Sequence, residues 1–343
     1  MIDRDGKKHS YDYFRQNDSH ESDLHSGGVR RSDRGIALPL VLWTITVLST
    51  VVFSLALAAR TDVRMTSHFR SSIEKKLLAE AGMERGLFEL AYREVAQRST
   101  DEQKPWKVDG STHQEKLGKG AWTVGIVDET GKISINGLTD GNSVILKNLL
   151  THLGASPDTA DTIVDSVLDW KDADDLHRLN GAEDDYYTSL PVPYKARNRD
   201  FQTPEELLLV KGMTEEIFLG NDKTKGLSSY ITVYSKHSGV NLEAAPREVI
   251  MSLPGMTDAV ADSIIAYRES TPLWNASEVQ ALLGPVINEV KNYIGVASRR
   301  VYTVTSQGTK DGEKAPFSLV ATLRLEGSSP TYLYYKTPAG RGE

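Results

Sequence analysis

The stretch IALPLVLWTITVLSTVVFSLALAA, Ile36 to Ala59, contains no charged side chain. Its length exceeds the about 20 apolar residues that a helix needs to cross a bilayer, which disfavours a buried core helix. It is also longer than the apolar core of a cleaved signal peptide, which runs to about 15 residues. Arg30, Arg31 and Arg34 precede it. Because basic flanks stay in the cytoplasm, the sequence predicts one membrane-spanning helix with the remaining chain exported.

The apolar pattern continues beyond this span as an amphipathic helix. Residues 60–98 contain no proline, and apolar side chains recur at three- and four-residue spacings, as at Leu77 and Ala81 and at Leu87 and Ala91. Such spacing places these side chains on one helix face. The sequence therefore predicts an uninterrupted helix that leaves the membrane and carries the exported domain.

Composition limits what the exported part can be. Hydrophobic residues make up 39% of the 343 residues and charged residues 25%, which is typical of a folded globular chain. The formal net charge of -7 argues against nucleic acid as the main partner, because phosphate is repelled by an anionic surface. The chain has no cysteine, so disulfides and thiolate metal sites are excluded.

Alternating apolar residues predict the strands of the exported part. Residues 121–137, AWTVGIVDETGKISING, predict a strand, a tight turn and a second strand, whereas residues 104–118 are predicted to be a loop. Further strands are predicted at 228–239, 299–309 and 317–327, where β-branched and aromatic residues are frequent. We therefore predict an α+β fold, in which a long N-terminal helix packs on an antiparallel sheet and an all-α domain is inserted.

Three segments of the inserted domain pair an apolar helix end with a glycine and then a helix-capping residue. Ser156 is the first such cap, with Pro157 at the first helical position. Thr203 is a further predicted cap, with Glu206 at the spacing of a capping box. The last hairpin turns at Pro254–Gly255. The pattern predicts repeated helix–turn–helix hairpins.

The hairpin at Pro254–Gly255 resembles the helix-hairpin-helix units of DNA-binding competence proteins and repair enzymes. In those units a glycine-rich turn presents backbone N–H groups to a phosphate. A membrane-tethered DNA-binding protein is therefore the alternative function. Two observations weigh against it: Met256 and Thr257 stand where a second glycine is usual, and the neighbouring side chains are mainly acidic. We expect no nucleic-acid partner.

The junction RGIALPLVLW, residues 34–43, resembles the cleavage site of type IV prepilins and pseudopilins, with a basic leader, a glycine and then an apolar helix. The resemblance implies cleavage between Gly35 and Ile36 by prepilin peptidase and methylation of the new N-terminus. Most members carry Glu at the fifth mature position, which here is Leu40. That departure is typical of the minor pseudopilin K of type II secretion systems.

Further segments are similar to the K family in the same order, namely GKISINGL, LDWKDADD, GAEDDYY, EELLLVKGM and VNLEAAPREVI between residues 131 and 250. The resemblance implies a subunit anchored in the inner membrane with its bulk in the periplasm, and I- and J-type minor pseudopilins as partners. It also implies a role at the tip of the pseudopilus, in initiating assembly and in exporting folded proteins across the outer membrane. Leu40 favours the tip, because it cannot neutralise the buried amine of a subunit above.

The leader is long for this family. Residues 1–28 are polar and show no apolar periodicity, so we expect them to be disordered. Initiation at Val29 would leave a short basic leader of the usual kind. Mass spectrometry of the uncleaved precursor distinguishes this start from Met1.

The segment DWKDADDLHRLNGAEDDYY, Asp169 to Tyr187, concentrates carboxylates that repel one another. Water and ions, arginines or a bound cation must neutralise them. Oxygen ligands without thiolates suit a hard cation, and Ca²⁺ accepts about 6–8 oxygens in flexible geometry. An EF-hand is excluded, because Leu176 and His177 occupy loop positions that need a ligand and a glycine.

The K-type resemblance implies that this region binds calcium. The candidate ligands are Asp172, Asp174, Glu183 and Asp184, with Asp169, Asp175 and Asp185 as weaker candidates. The alternative is a solvated acidic loop paired with Arg178, Arg197 and Arg199. The sequence contains no nucleophile elbow, phosphate-binding loop or dinucleotide fingerprint, and we predict no catalytic residues and no enzyme activity.

These patterns divide the chain into eight segments. They are the leader (1–35), the transmembrane segment (36–59), its amphipathic continuation (60–100), the pseudopilin strands (105–140), the helical insert with the acidic loop (141–228), a strand (229–240), a helical hairpin segment (241–297) and the C-terminal strands (298–337).

Overall fold

The computed structural model describes residues 37–96, 105–270, 276–295, 299–313, 315–327 and 329–338. The leader and the predicted cleavage site between Gly35 and Ile36 lie outside these residues. The chain divides into two units, the first ending at Met65 and the second beginning at Thr66.

The first unit contains the apolar start of α1, a helix that extends over Ala37–Ala96. Side chains of residues 37–65 are exposed, and an 18-residue window of the helix has a mean hydropathy of 2.2 and no buried part. Within the described ranges, α1 alone is long and apolar enough to cross a membrane. This N-terminal helix fits a single-pass anchor followed by a soluble remainder.

The second unit contains a five-stranded antiparallel sheet in the order β1-β2-β7-β8-β9, and two short parallel pairs, β3 with β4 and β5 with β6. The strands are β1 (Asp109–Leu117), β2 (Gly120–Asp128), β3 (Ile133–Ser134), β4 (Ile231–Thr232), β5 (Val240–Asn241), β6 (Ile294–Gly295), β7 (Val301–Lys310), β8 (Phe317–Glu326) and β9 (Ser329–Lys336). The helices are α2 (Val144–His152), α3 (Pro157–Lys171), α4 (Asp184–Thr188), α5 (Glu215–Leu219), α6 (Arg247–Met251), α7 (Asp258–Ser270), α8 (Ala276–Leu283) and α9 (Ile287–Val290).

One face of the five-stranded sheet is buried against the second half of α1. Ala79, Met83 and Leu90 of α1 share a core with Val124 and Ile126 of β2. These two β2 residues are two positions apart and therefore point to the same face of the sheet. The predicted α+β fold, with a long helix on an antiparallel sheet and additional helices, is confirmed.

α1 approaches the sheet closely at Gly308 of β7. A Cβ atom at this position would lie 1.9 Å from the backbone oxygen of Lys75 and 2.7 Å from the backbone nitrogen of Ala79. The same strand also anchors the helix, because the Ser306 hydroxyl donates to the Ala79 carbonyl at 2.7 Å. Only glycine leaves room for the two backbones at this spacing.

We therefore expect Gly308→Ala to lower the free energy of unfolding by about 2 kcal/mol or more, because the helix and the strand must move apart. Urea denaturation of the full chain in detergent micelles measures this change. Gly141→Ala is the matched control, since the nearest atom to its Cβ would be Thr139 Oγ1 at 3.8 Å. Equal destabilisation by the two variants would contradict the close contact.

The inserted helices turn at three glycines with positive φ, Gly154 (101°), Gly212 (85°) and Gly255 (67°). This backbone conformation favours glycine, because it has no Cβ atom. Ser156 and Thr214 cap the following helices, α3 and α5, by accepting backbone N–H groups with their side-chain oxygens. The predicted glycine-turned hairpins are confirmed.

Several strand predictions were wrong. Residues 104–118, predicted to be a loop, contain β1, an edge strand whose side chains are mostly exposed and which therefore lacks apolar alternation. The hairpin predicted over 121–137 does not form, because a 3₁₀ turn at Glu129–Gly131 follows β2 and β3 pairs with β4. The strand predicted over 229–240 is reduced to β4 and the first residue of β5. Apolar residues of this segment are instead buried in the core of the helical domain.

The capping box predicted at Thr203 also differs. The Thr203 side chain makes no cap hydrogen bond, and Pro204–Leu209 form a 3₁₀ helix. The Glu206 carboxylate instead accepts hydrogen bonds from the Gln202 N–H at 3.0 Å and the Trp170 indole N–H at 3.1 Å. The Glu206 carboxylate therefore binds the residue before the predicted cap and a distant indole, instead of Thr203.

Candidate functional site

The acidic segment begins in the last turn of α3, continues through the loop 172–183 and ends in α4. Trp170, in the last turn of α3, is 2% exposed. Its ring centroid lies 5.0 Å from that of Tyr187 and 6.2 Å from that of Phe201. This aromatic cluster buries the residues on either side of the loop and so brings the carboxylates of both ends of the segment together.

Glu183 has the least satisfied carboxylate of this segment. It is 2% exposed, and neither of its side-chain oxygens has a hydrogen-bond partner among the described residues. The pKa of Glu183 is raised to about 7, and burial is the largest cause. The negative charges of Asp169, Asp172, Asp175 and Asp174 raise it further. A buried carboxylate without donors is costly, and at neutral pH it calls for a counter-charge.

Arg178 supplies part of that counter-charge. Its guanidinium lies 2.7 Å from Asp169 Oδ1, 2.8 Å from Asp172 Oδ2 and 3.0 Å from Asp140 Oδ1. Hydrogen bonding, first of all to Asp140, raises the pKa of Arg178 above its ordinary value. Burial nevertheless raises the pKa of Asp169. Arg178 therefore neutralises Asp140, Asp169 and Asp172 in part, while the Glu183 carboxylate and Asp172 Oδ1 stay without a hydrogen-bond partner among the described residues.

The other candidate ligands have different surroundings. The Asp184 carboxylate lies 2.6 Å from the Lys195 amine and accepts the Ala196 N–H at 2.9 Å, so Lys195 lowers its pKa. Asp174 accepts the Leu176 N–H and Asp185 the N–H of the next residue. The structure thus brings Asp169, Asp172, Asp174 and Asp175 into the field of Glu183, and turns Asp184 towards Lys195.

Three residues that the sequence did not single out shape this loop. A Cβ at Gly181 would lie 1.8 Å from Asp169 Oδ2, so only glycine lets the chain pass this carboxylate. The Lys211 amine donates to the carbonyls of Asn180 and Gly181 at 3.3 and 2.9 Å. Asp165 Oδ2 accepts the backbone N–H of Asn180 at 3.1 Å. A glycine within an acidic run was a sequence signal that could have singled out Gly181. Lys211 and Asp165 lie outside the segment, and no sequence signal pointed to them.

The donor set fits a hard cation. Among the described residues, no group of three or more His, Asp or Glu side chains is placed so that it could hold a metal ion. However, the two oxygens of Glu183 and Oδ1 of Asp172 are buried oxygen acceptors without donors, and further aspartates lie nearby. Calcium takes such oxygens readily, whereas softer metals favour nitrogen or sulfur ligands. Glu183 and Asp172 are the residues that would hold it.

The hairpin at Gly255 has an acidic environment. A Cβ at Gly255 would lie 2.1 Å from Glu289 Oε2, so a carboxylate lies against the turn that would face a phosphate in a DNA-binding hairpin. Arg247 is engaged by Asp258 and Asp262 at 2.6 and 3.1 Å. This arrangement repels nucleic acid rather than attracting it.

Residues 131–235 match the family model for protein K of the type II secretion system. This range contains the acidic segment and two of the three glycine turns. The type II secretion system protein K of Pectobacterium carotovorum is 37% identical over 94 residues, which cover 25% of this chain and 29% of that protein.

Longer alignments cover most of the chain. A putative type II secretion system protein K of Escherichia coli K12 is 24% identical over 307 residues, 82% of this chain and 91% of that protein. The Pseudomonas aeruginosa protein K is 25% identical over 259 residues, 68% of this chain and 73% of that protein. A chain of the GspK-GspI-GspJ complex from enterotoxigenic E. coli has the same fold, with a TM-score of 0.58 and 18% identity over 80% of this chain and 98% of that one. Over residues 131–235 by family model, and over most of its length by weaker alignment, the chain is thus similar to protein K of type II secretion systems.

Proposed function

We propose that this chain is the minor pseudopilin at the tip of a type II secretion pseudopilus, where it helps to initiate assembly and export of folded proteins across the outer membrane. The observation that carries the proposal is the alignment that spans 91% of the E. coli protein K. The role is structural and not catalytic. The chain contributes a membrane anchor, a helix face for a partner and the folded second unit.

The anchor is the apolar part of α1, which holds the subunit in the inner membrane with its bulk in the periplasm. Prepilin peptidase removes the leader after Gly35, and Ile36 becomes the methylated N-terminus. Leu40 then stands where most pilins have a carboxylate. Because it offers no counter-charge to the amine of a subunit above, the subunit ends the filament.

The partners are the I- and J-type pseudopilins, since the complex of which one chain shares this fold contains GspI and GspJ. Within the second unit, α1 leaves an apolar stripe exposed at Phe69 (68%), Ile73 (41%), Leu77 (58%) and Phe88 (58%). At 100° per residue these positions fall within about one-third of the helix circumference. We assign this stripe, which lies beside the face packed on the sheet, to a partner helix.

We expect Leu77→Glu combined with Phe88→Glu to weaken co-purification with the I and J subunits by about tenfold or more, because two charges would be buried against apolar side chains. Affinity pull-down from membranes that contain all three subunits measures this. Val192→Glu with Leu209→Glu is the matched control, since both side chains are exposed apolar residues of the helical domain (77% and 45%). Failure of the unaltered chain to bind either subunit would overturn the proposal.

Calcium completes the helical domain in this proposal. Glu183 and Asp172 are the residues that would hold it, and its positive charge would offset the buried carboxylates and so stabilise the loop between α3 and α4. Arg178 holds Asp169 and Asp172 in place.

A further inference from the structure

One acidic side chain interrupts the apolar stripe of α1 that is assigned to a partner helix. Glu84 follows Ile73 and Leu77 on the same helix and precedes Phe88 by one turn. At 100° per residue it lies within about 40° of each of these three side chains around the helix axis. Its side chain is exposed, so the carboxylate belongs to the same surface as the stripe.

Strand β9 extends this surface on the other side of Glu84. Burial raises the pKa of Tyr332, and the negative charge of Glu84 raises it further, because the two side chains lie near each other. Tyr332 and Tyr335 are 48% and 50% exposed, and their rings meet edge to face with centroids 6.1 Å apart. The carboxylate of Glu84 is therefore bordered by apolar side chains of α1 and by two tyrosines of β9.

The charge of Glu84 is not offset within the part of the chain that the structure describes. There, no ion pair or hydrogen bond joins its carboxylate to another side chain. The other glutamates of this part of α1 are paired with basic residues of the same helix: Glu74 with Arg70, Glu80 with Lys76 and Glu89 with Arg85. Lys336 directly follows Tyr335 in β9 and so points to the opposite face of the sheet.

A helix that covers this surface must also supply a positive charge. An ionised carboxylate that is removed from water without a partner is strongly destabilising, which would oppose the docking of a wholly apolar helix. A lysine or arginine offsets the charge. Its long alkyl chain can also lie against apolar neighbours such as Leu77 and Phe88, so it suits both parts of the surface.

We propose that the partner helix carries a lysine or arginine that pairs with Glu84, and that this ion pair sets the register of the partner along α1. The inference rests on the proposed function, which supplies the partner, a helix of the I- or J-type subunit. Apolar side chains recur along the stripe, so apolar packing alone would allow the helices to slip by a turn. One charged position within an apolar contact specifies a single register.

The test reverses the charge of Glu84 in the full chain and measures co-purification with the I and J subunits from membranes that contain all three. We expect Glu84→Lys to lower co-purification by about tenfold or more, because two cations would then face each other in the contact. Glu84→Gln removes the pair without repulsion and should lower co-purification by about threefold.

Glu115→Lys is the matched control, because it makes the same charge reversal at an exposed residue of β1, outside the stripe. It should change co-purification by less than about twofold. Melting temperatures of the Glu84 and Glu115 variants should stay within about 2 °C of that of the unaltered chain, since surface substitutions have small effects on stability.

A rescue experiment identifies the counter-charge. In the presence of Glu84→Lys, each lysine and arginine of the membrane-anchored helix of the I and J subunits is replaced by Glu, one at a time. One of these replacements should restore co-purification, which a merely misfolded variant would not allow. Equal co-purification of Glu84→Lys and Glu115→Lys, or the lack of any rescuing replacement, would exclude the ion pair while the unaltered chain still binds. Loss of binding by the unaltered chain itself would instead count against the proposed function.

Discussion

Glu183→Gln is expected to abolish the response of the protein to calcium and, in chelator at neutral pH, to raise its melting temperature above that of the unaltered chain. The second effect follows from the structure without metal: the variant replaces a buried carboxylate that lacks donors by a neutral amide of the same shape. The first follows because the amide removes the charge that a cation would offset.

The size of the calcium response can be estimated by linkage. About 10 mM Ca²⁺ is roughly 10 to 100 times the dissociation constant typical of extracellular sites, which corresponds to about 1.4–2.7 kcal/mol. For a domain of this size that is a rise of roughly 3–10 °C in melting temperature. Differential scanning fluorimetry of the full chain in detergent, with calcium or with chelator, measures it.

Asp161→Asn is the control for this experiment. It removes one carboxylate from α3 in an exposed pair with Lys147, away from the loop. We expect it to retain the full calcium response. An unaltered chain that melts at the same temperature with and without calcium would exclude the metal site and leave Arg178 as the main source of positive charge for the segment.

Arg93→Met is expected to cost about 3 kcal/mol of unfolding free energy, because it leaves a buried carboxylate without its partner. Arg93 pairs with Glu243, and the two side chains are 7% and 21% exposed. Arg93 also donates to the Trp106 carbonyl at 3.1 Å. The pair therefore ties α1 to the segment before α6.

The loss should depend on pH. Burial already raises the pKa of Glu243 above 4.5, against the opposing effect of Arg93, and removal of Arg93 raises it further. A carboxyl group with a raised folded-state pKa keeps its proton in the native state. Its contribution is fully present below the unfolded pKa of about 4.5 and is lost as the pH rises through the folded value. The variant should therefore be less destabilised at pH 5 than at pH 8.

Two further variants separate the ion pair from simple packing. Arg93→Met with Glu243→Met should recover much of the stability, because an apolar pair leaves no buried charge. Arg70→Met is the exposed control, since its pair with Glu74 is 80% and 36% exposed, and it should cost less than about 1 kcal/mol. Urea denaturation at both pH values measures all of them. A loss for Arg93→Met that is independent of pH would contradict the role assigned to Glu243.

Local patterns predicted those parts of the protein that depend on neighbouring residues alone. Uninterrupted hydropathy predicted the anchor and its continuation in α1, because a helix satisfies its own backbone within one segment. The hairpins at Gly154 and Gly255 were also predictable, since a glycine before a capping residue marks a helix turn. The strand predictions failed for β1, whose mostly exposed side chains lack apolar alternation, and at Ile133, which pairs with the distant Ile231 rather than with β2.

In the acidic segment, too, the sequence predicted some properties and only the tertiary structure determined the others. Its sequence alone indicated carboxylates in excess and a hard cation as one way of neutralising them. Only the tertiary structure distinguished Glu183, which is buried without donors, from Asp184, which is paired with Lys195. Adjacent residues in one run thus differ completely in environment. The reason is that burial and salt bridges are set by chain segments packed from elsewhere in the fold, and desolvation acts on each carboxylate through those neighbours rather than through its position in the sequence.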